Sequence, residues 1–118
     1  MTTEDIAKDL VALCQAGKFD DAGEKYWAED VLSVEPAGDM AELRGKAAVR
    51  AKGAWWFGVH EVHGAEVAGP YISGDSFVVR FTIDQTVKAT GERMTLDEVG
   101  VYTVKDGKIA EERFFYAG

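Results

Sequence analysis

The chain has 118 residues, 47% of them hydrophobic and 29% charged, with a net charge of −8 at pH 7. That length holds one domain with a sizeable core and not two, so residues 1–118 are taken as a single unit. Acidity of this size argues against nucleic acid and anionic membrane as partners, because both select a basic footprint.

Residues 3–16 carry Ile6, Leu10 and Leu13 at helical spacing, flanked by Ala7, Val11 and Cys14. Glu4 and Asp5 suit a first turn, and Gly17 suits a left-handed cap. Cys14 has no second cysteine to pair with and reads as a small hydrophobe. The acidic start lacks an apolar signal core, and no run approaches membrane-spanning length, which leads us to expect a cytoplasmic protein. A second, short helix is expected from Asp20-Asp21 through Tyr26 and Trp27, weakened by Gly23. Ala28-Glu29-Asp30 reads as a turn into a short strand, Val31 to Glu35, which Pro36 ends. An irregular loop follows. A third helix follows Arg44-Gly45 and extends to about Phe57, with Ala47, Ala48, Ala51 and Ala54 as its thin packing face and Gly58 as its end.

Strands make up the rest. His60 to Ile72 reads as an irregular strand, broken at Gly64 and Gly69-Pro70. Phe77 to Val87 alternates, with Phe77, Val79, Phe81, Ile83 and Val87 on one side and Arg80, Thr82, Asp84 and Thr86 on the other. Met94 to Val104 places Met94, Leu96, Glu98 and Tyr102 together, with Thr95, Asp97 and Val99 opposite. Asp106-Gly107 marks a tight hairpin into Ile109–Tyr116. Arg80 with Asp84, and Glu111 with Arg113, read as polar pairs on the sheet exterior. This order of elements defines an α+β class: a curved antiparallel sheet with three helices on one face. Such a sheet must twist, and three helices leave its concavity unfilled, so a mostly apolar pocket is expected.

Three stretches carry a family resemblance. They are Gln15-Ala-Gly-Lys-Phe-Asp20; Tyr26-Trp-Ala-Glu-Asp-Val-Leu-Ser-Val-Glu-Pro36 with Leu43-Arg-Gly-Lys-Ala-Ala48; and Tyr102-Thr-Val-Lys-Asp-Gly-Lys-Ile109 running into Glu112-Arg-Phe-Phe-Tyr116. Together they resemble the nuclear transport factor 2-like superfamily, in particular its SnoaL-like and ketosteroid isomerase-like members. The resemblance implies a cone-shaped alpha-beta barrel around an apolar cavity, and commonly a homodimer through the outer face of the sheet. It does not single out one activity, since the superfamily holds isomerases, cyclases, dehydratases and proteins that only bind.

Glu35 is the first candidate catalytic residue. It resembles the isomerases' aspartate base ahead of Pro-x-Gly, here Pro36-Ala-Gly38, with one residue fewer before the proline. A carboxylate at the mouth of an apolar cavity can shuttle a proton between carbons beside a carbonyl. Glu98 is the second, since a protonated acid in a dry site can donate a hydrogen bond to a developing oxyanion, for which ketosteroid isomerase is the known example. A one-residue change of register would exchange it for Asp97. Leu10 stands where those isomerases carry an oxyanion-donating tyrosine. Tyr26, Trp27 and Tyr102 are therefore candidate donors as well as cavity aromatics, and Trp55, Phe81 and Met94 complete the candidate substrate-binding set. His60 and His63 lie three apart on a strand and so face opposite ways, which argues against a shared metal. By the same resemblance, one of them entering the cavity could serve as acid or base. Two readings stay open: a cofactor-independent isomerase or cyclase acting on a small hydrophobic carbonyl compound, or a non-catalytic binding protein for small hydrophobic ligands.

Overall fold

A computed structural model describes residues 1–117. The chain runs through α1 (Thr3–Gln15), α2 (Phe19–Tyr26), β1 (Trp27–Val34), β2 (Glu42–Arg44), α3 (Lys46–Val59), β3 (His60–Ser73), β4 (Ser76–Val87), β5 (Arg93–Lys105) and β6 (Lys108–Tyr116). The strands form one sheet in the order β2-β1-β6-β5-β4-β3, with β2 and β3 as its unjoined edges. Every neighbouring pair is antiparallel except β1 and β6, which run parallel. The result is an α+β cone, curved but not closed, with its core between helices and sheet.

A reciprocal capping box starts α1. The Thr2 hydroxyl accepts from the Asp5 amide, and the Asp5 carboxylate accepts from the Thr2 amide. At the other end Gly17 takes φ +78°, and the amides of Gly17 and Lys18 bond back to Cys14 and Leu13. The buried face is Ile6, Ala7, Leu10, Val11 and Cys14, packed towards β3 and β4. Burial pushes the Cys14 thiol up to about 12, so it sits in the core as an inert hydrophobe.

Gly23 has a role that its low helix propensity hides. A Cβ at this position would meet the Trp27 indole at 2.5 Å, so only glycine lets the ring lie against α2. Gly23→Ala should therefore destabilise the fold by about 1–3 kcal/mol, against the gain that helix propensity alone would give. Chemical denaturation, followed by circular dichroism, checks the sign.

Three local expectations need correction. Ala28-Glu29-Asp30 is strand, because β1 already begins at Trp27, which pairs with Ile109 of β6. The loop after Pro36 contains β2, which pairs Glu42–Arg44 against Val34–Leu32. On α3, Ala47, Ala51 and Ala54 face solvent, and Gly58 lies inside the helix, which runs on to Val59. The inward face is instead Val49, Lys52, Gly53 and Trp56, at spacings of three, four and seven.

Within the sheet, Phe77, Val79, Phe81 and Ile83 of β4 are buried, and Tyr102 and Val104 of β5 join them. Arg80 forms its ion pair across strands with Asp97, not along its own strand with Asp84; Asp84 is held by Arg93. Residues four apart on a strand share a face but stand about 13 Å from each other, much farther than cross-strand neighbours, so register decides this pairing. Glu111 and Arg113 do pair, at 3.5 Å.

The turn of β6 is decided by one irregularity. Val104 pairs with Ile109 but Thr103 pairs with Glu111, leaving Ala110 as an extra residue. That bulge changes the parity of the strand. Ile109 points inward before it, and Glu112, Phe114 and Tyr116 point inward after it.

Candidate functional site

Between α3, the N-terminal helices and the concave sheet lies a cavity of about 690 Å³ with mostly apolar walls. It exists because α3 is a thin roof with a single fully buried residue, Val49. Its polar groups include Glu35 just after β1, Lys52 on α3, Glu98 on β5, and Glu112 and Tyr116 on β6, with Asp20 of α2, Asp39 of the loop after β1, His60 and Tyr102 also in the lining. The aromatic rings of Trp55, Trp56 and Phe57 from the end of α3 also line it, with Phe19 against Phe57 at 6.0 Å.

Glu35, Lys52 and Glu112 are joined. Lys52 Nζ donates to Glu35 Oε1 at 3.1 Å and to Ser33 Oγ at 2.5 Å. Ser33 in turn donates to Glu112 Oε2, and the Trp27 indole donates to Glu112 Oε1, both at 2.8 Å. The second Glu35 oxygen, Oε2, is buried and has no hydrogen-bond partner among the described residues. Burial raises the Glu112 carboxyl above its usual range, opposed by the bonds from Trp27 and Ser33 and by the Lys52 charge. Glu98 is pushed up to about 7, first by burial and then by the Glu35 charge, with Lys52 pulling the other way. Around neutrality it therefore exists as both acid and carboxylate. Burial, the charges of Glu35 and Glu98, and the closeness of the phenol to the Glu35 carboxylate as a hydrogen-bond partner also lift Tyr116; that approach is too loose to count as a formed hydrogen bond to Glu35 Oε2.

Of the eight residues singled out from sequence, Glu35, Glu98, Trp27, Trp55, Phe81 and Tyr102 line this cavity. Two do not. Tyr26 is buried elsewhere, its hydroxyl donating to Asp9 beside Lys25, so it ties the end of α2 to α1. Met94 is 41% exposed near the start of β5, beyond the point where the helices cover the sheet. Asp97 faces outward onto Arg80, which leaves Glu98 as the inward acid. Leu10 lines the cavity and offers only hydrocarbon there. His60 also lines it; its Nδ1–H donates to the Trp56 carbonyl at 2.9 Å, and its ring stacks on the Trp56 indole. His63 bonds instead to Thr86 Oγ1 at 2.7 Å in an exposed position.

Sequence reasoning missed Lys52, Ser33, Glu112 and Tyr116. Lys52 was findable: it falls three after Val49 and four before Trp56, a lone charge on an apolar helical stripe. Glu112 had no such signal, because unbroken alternation from Ile109 puts it on the outside.

A curled sheet roofed by three helices, with acids set into an apolar hollow, defines a cone-shaped protein of the nuclear transport factor 2-like build. The chain belongs to the SnoaL-like domain family, whose model matches residues 1–116. Among solved structures it is similar to a candidate SnoaL-like polyketide cyclase (carbohydrate phosphatase) from Mesorhizobium loti. That match has 56% identity and a TM-score of 0.96, covering 98% of this chain and 100% of the other. A candidate isomerase from Bacillus subtilis shares the fold at 19% identity and a TM-score of 0.80, over 99% and 90% of the two chains. So does a hypothetical protein with a ketosteroid isomerase-like fold from Catenulispora acidiphila, solved with trimethylamine, at 18% identity and a TM-score of 0.69, over 81% and 72%. No curated protein matches the chain.

Proposed function

We propose that the chain is a cofactor-independent isomerase or cyclase that moves a proton within a small hydrophobic carbonyl compound held in the cone. The observation that carries this reading is Glu35 in the wall of a mostly apolar cavity, with one carboxylate oxygen, Oε2, buried and without a hydrogen-bond partner among the described residues. A carboxylate so placed can take a proton from a carbon beside a carbonyl and return it elsewhere on the same molecule. Glu98 in its protonated form can donate to the carbonyl oxygen as charge gathers there. The candidate cyclase and candidate isomerase descriptions of the similar structures support the same class. Trp27, Trp55, Phe81 and Tyr102 would hold the apolar body of the substrate.

The test is deuterium exchange: cyclic ketones incubated with the protein in heavy water, with loss of the α-proton followed by NMR. Exchange above the buffer rate is expected for at least one ketone. Saturable binding with no exchange would instead establish the second reading, a binding protein, which the apolar wall at Leu10 favours.

We propose further that two copies pair through the outer face of the sheet, in the cytoplasm. Val78 lies beside Val101, and Val99 beside Phe115, so apolar side chains adjoin one another on that face; Phe115 is 51% exposed and nearby Tyr71 62%. Sedimentation at micromolar concentration should give a dimer, and a monomer there would remove this interface.

A further inference from the structure

Lys52 is the one lysine or arginine lining the cavity among the described residues, and its side chain is only 13% exposed. An ammonium carries three protons. Ser33 Oγ takes one and Glu35 Oε1 takes another, leaving the third for whatever enters. The Phe114 ring, 5.3 Å from Nζ, supplies no competing acceptor atom beyond its π face.

We propose that Lys52 is the catalytic residue that holds the oxyanion formed when Glu35 takes its proton. The inference rests on the reading of Glu35 as the base. The C–H bond breaks, and its proton goes to the Glu35 carboxylate. The bonding pair moves through the carbonyl onto oxygen, and the total charge of the site is unchanged. What moves is the negative charge, from Glu35 to the substrate oxygen. Before the step the ammonium is paired with Glu35, 3.1 Å away; after it, Glu35 is neutral and the adjacent enolate is the counter-ion. Lys52 thus gains its new partner only as the charge develops, which is the condition for speeding the step rather than merely binding the substrate.

The donor is also held in place. Ser33 has a single proton, which it gives to Glu112, so its oxygen accepts from Lys52. Glu112, 4% exposed, is fixed by Ser33 on one oxygen and by Trp27 on the other. These groups stand on β1 and β6, paired strands rather than loops, so the tip of Lys52 is oriented before any ligand arrives. Ser33, Glu112 and Trp27 are positioning residues in this scheme.

Binding tests this apart from turnover. In Glu35→Gln, which mimics the protonated base, affinities are measured at mildly alkaline pH, where 4-nitrophenol is fully ionised, by absorbance titration for 4-nitrophenolate, a stable oxyanion, and 4-nitroanisole, its neutral analogue. The phenolate should bind in preference to the anisole. Adding Lys52→Gln should weaken phenolate binding about tenfold or more and leave anisole binding nearly unchanged. Unchanged phenolate affinity, or an equal loss for both probes, overturns the proposal. If the double variant does not fold, nitrogen NMR of the Lys52 ammonium in Glu35→Gln decides: the phenolate should shift its resonance and the anisole should not, and the absence of that difference overturns the proposal. Anisole binding without phenolate preference removes Lys52 alone; neither probe binding removes the cavity reading with it.

Discussion

Replacing Glu35 by glutamine is expected to cut catalysed α-proton exchange by about 10²–10⁴-fold, the usual worth of a positioned general base. Glutamine keeps the size of the side chain and a carbonyl oxygen that can still accept from Lys52 Nζ, so the fold and the apolar walls are retained. What it loses is the oxygen pair that can carry a proton away. The effect should therefore fall on kcat and leave ligand affinity nearly unchanged. Isotope exchange monitored by NMR, alongside circular dichroism of the variant, measures both. A folded variant that exchanges protons at the wild-type rate would take Glu35 out of the mechanism.

The second large effect is on stability, and it comes from Glu98. Its carboxyl, at about 7 in the fold against an ordinary 4.5, binds its proton more tightly folded than unfolded. The stabilisation this gives is fully present below pH 4.5 and is lost as pH rises to about 7, because the unfolded chain ionises first. The shift corresponds to on the order of 3 kcal/mol lost across that window. Glu112, raised in the same direction by its own burial, adds to the slope. Glu35 and Lys52, from the other walls, act on Glu98 with opposite signs. Glu98→Gln should flatten the dependence and exceed the wild type in stability at pH 8. Urea denaturation at a series of pH values reads this directly. Parallel curves for the two proteins would mean that Glu98 ionises freely and does not sit in a dry wall.

The distance between sequence and structure is clearest in β6. Alternation along Phe77–Val87 and Met94–Val104 marks which residues face the core, because an unbroken strand has a fixed period; Phe77, Val79, Phe81, Ile83, Tyr102 and Val104 keep to it, while Val78, Val99 and Val101 fall on the outer face. The capping residues of α1 and the Asp106-Gly107 hairpin are equally local, and each can be read from a few neighbours. Glu98 could be singled out because it is a charge where the strand pattern calls for an apolar group, and Glu35 because it resembles the isomerases' base ahead of Pro36-Ala-Gly38. Glu112 could not. One extra residue at Ala110 turns it inward, and that bulge is set by pairing with β5 and β1 on either side, not by anything in residues 108–116 alone.

Local chemistry by itself thus determined the helices, the long strands, the hairpin turns between them and Glu98 as an inward acid, since each depends on backbone preference and hydrophobic period within one segment. Only the tertiary structure decided that the alanine face of α3 looks outward, that Tyr26 serves Asp9 rather than the cavity, and that Lys52 joins Glu35 to Ser33 and Glu112. Those outcomes depend on which surfaces meet between residues 17 to 79 positions apart in the sequence. A side chain's partner over that span is set by sheet register and helix rotation together, and neither is written in its immediate neighbours.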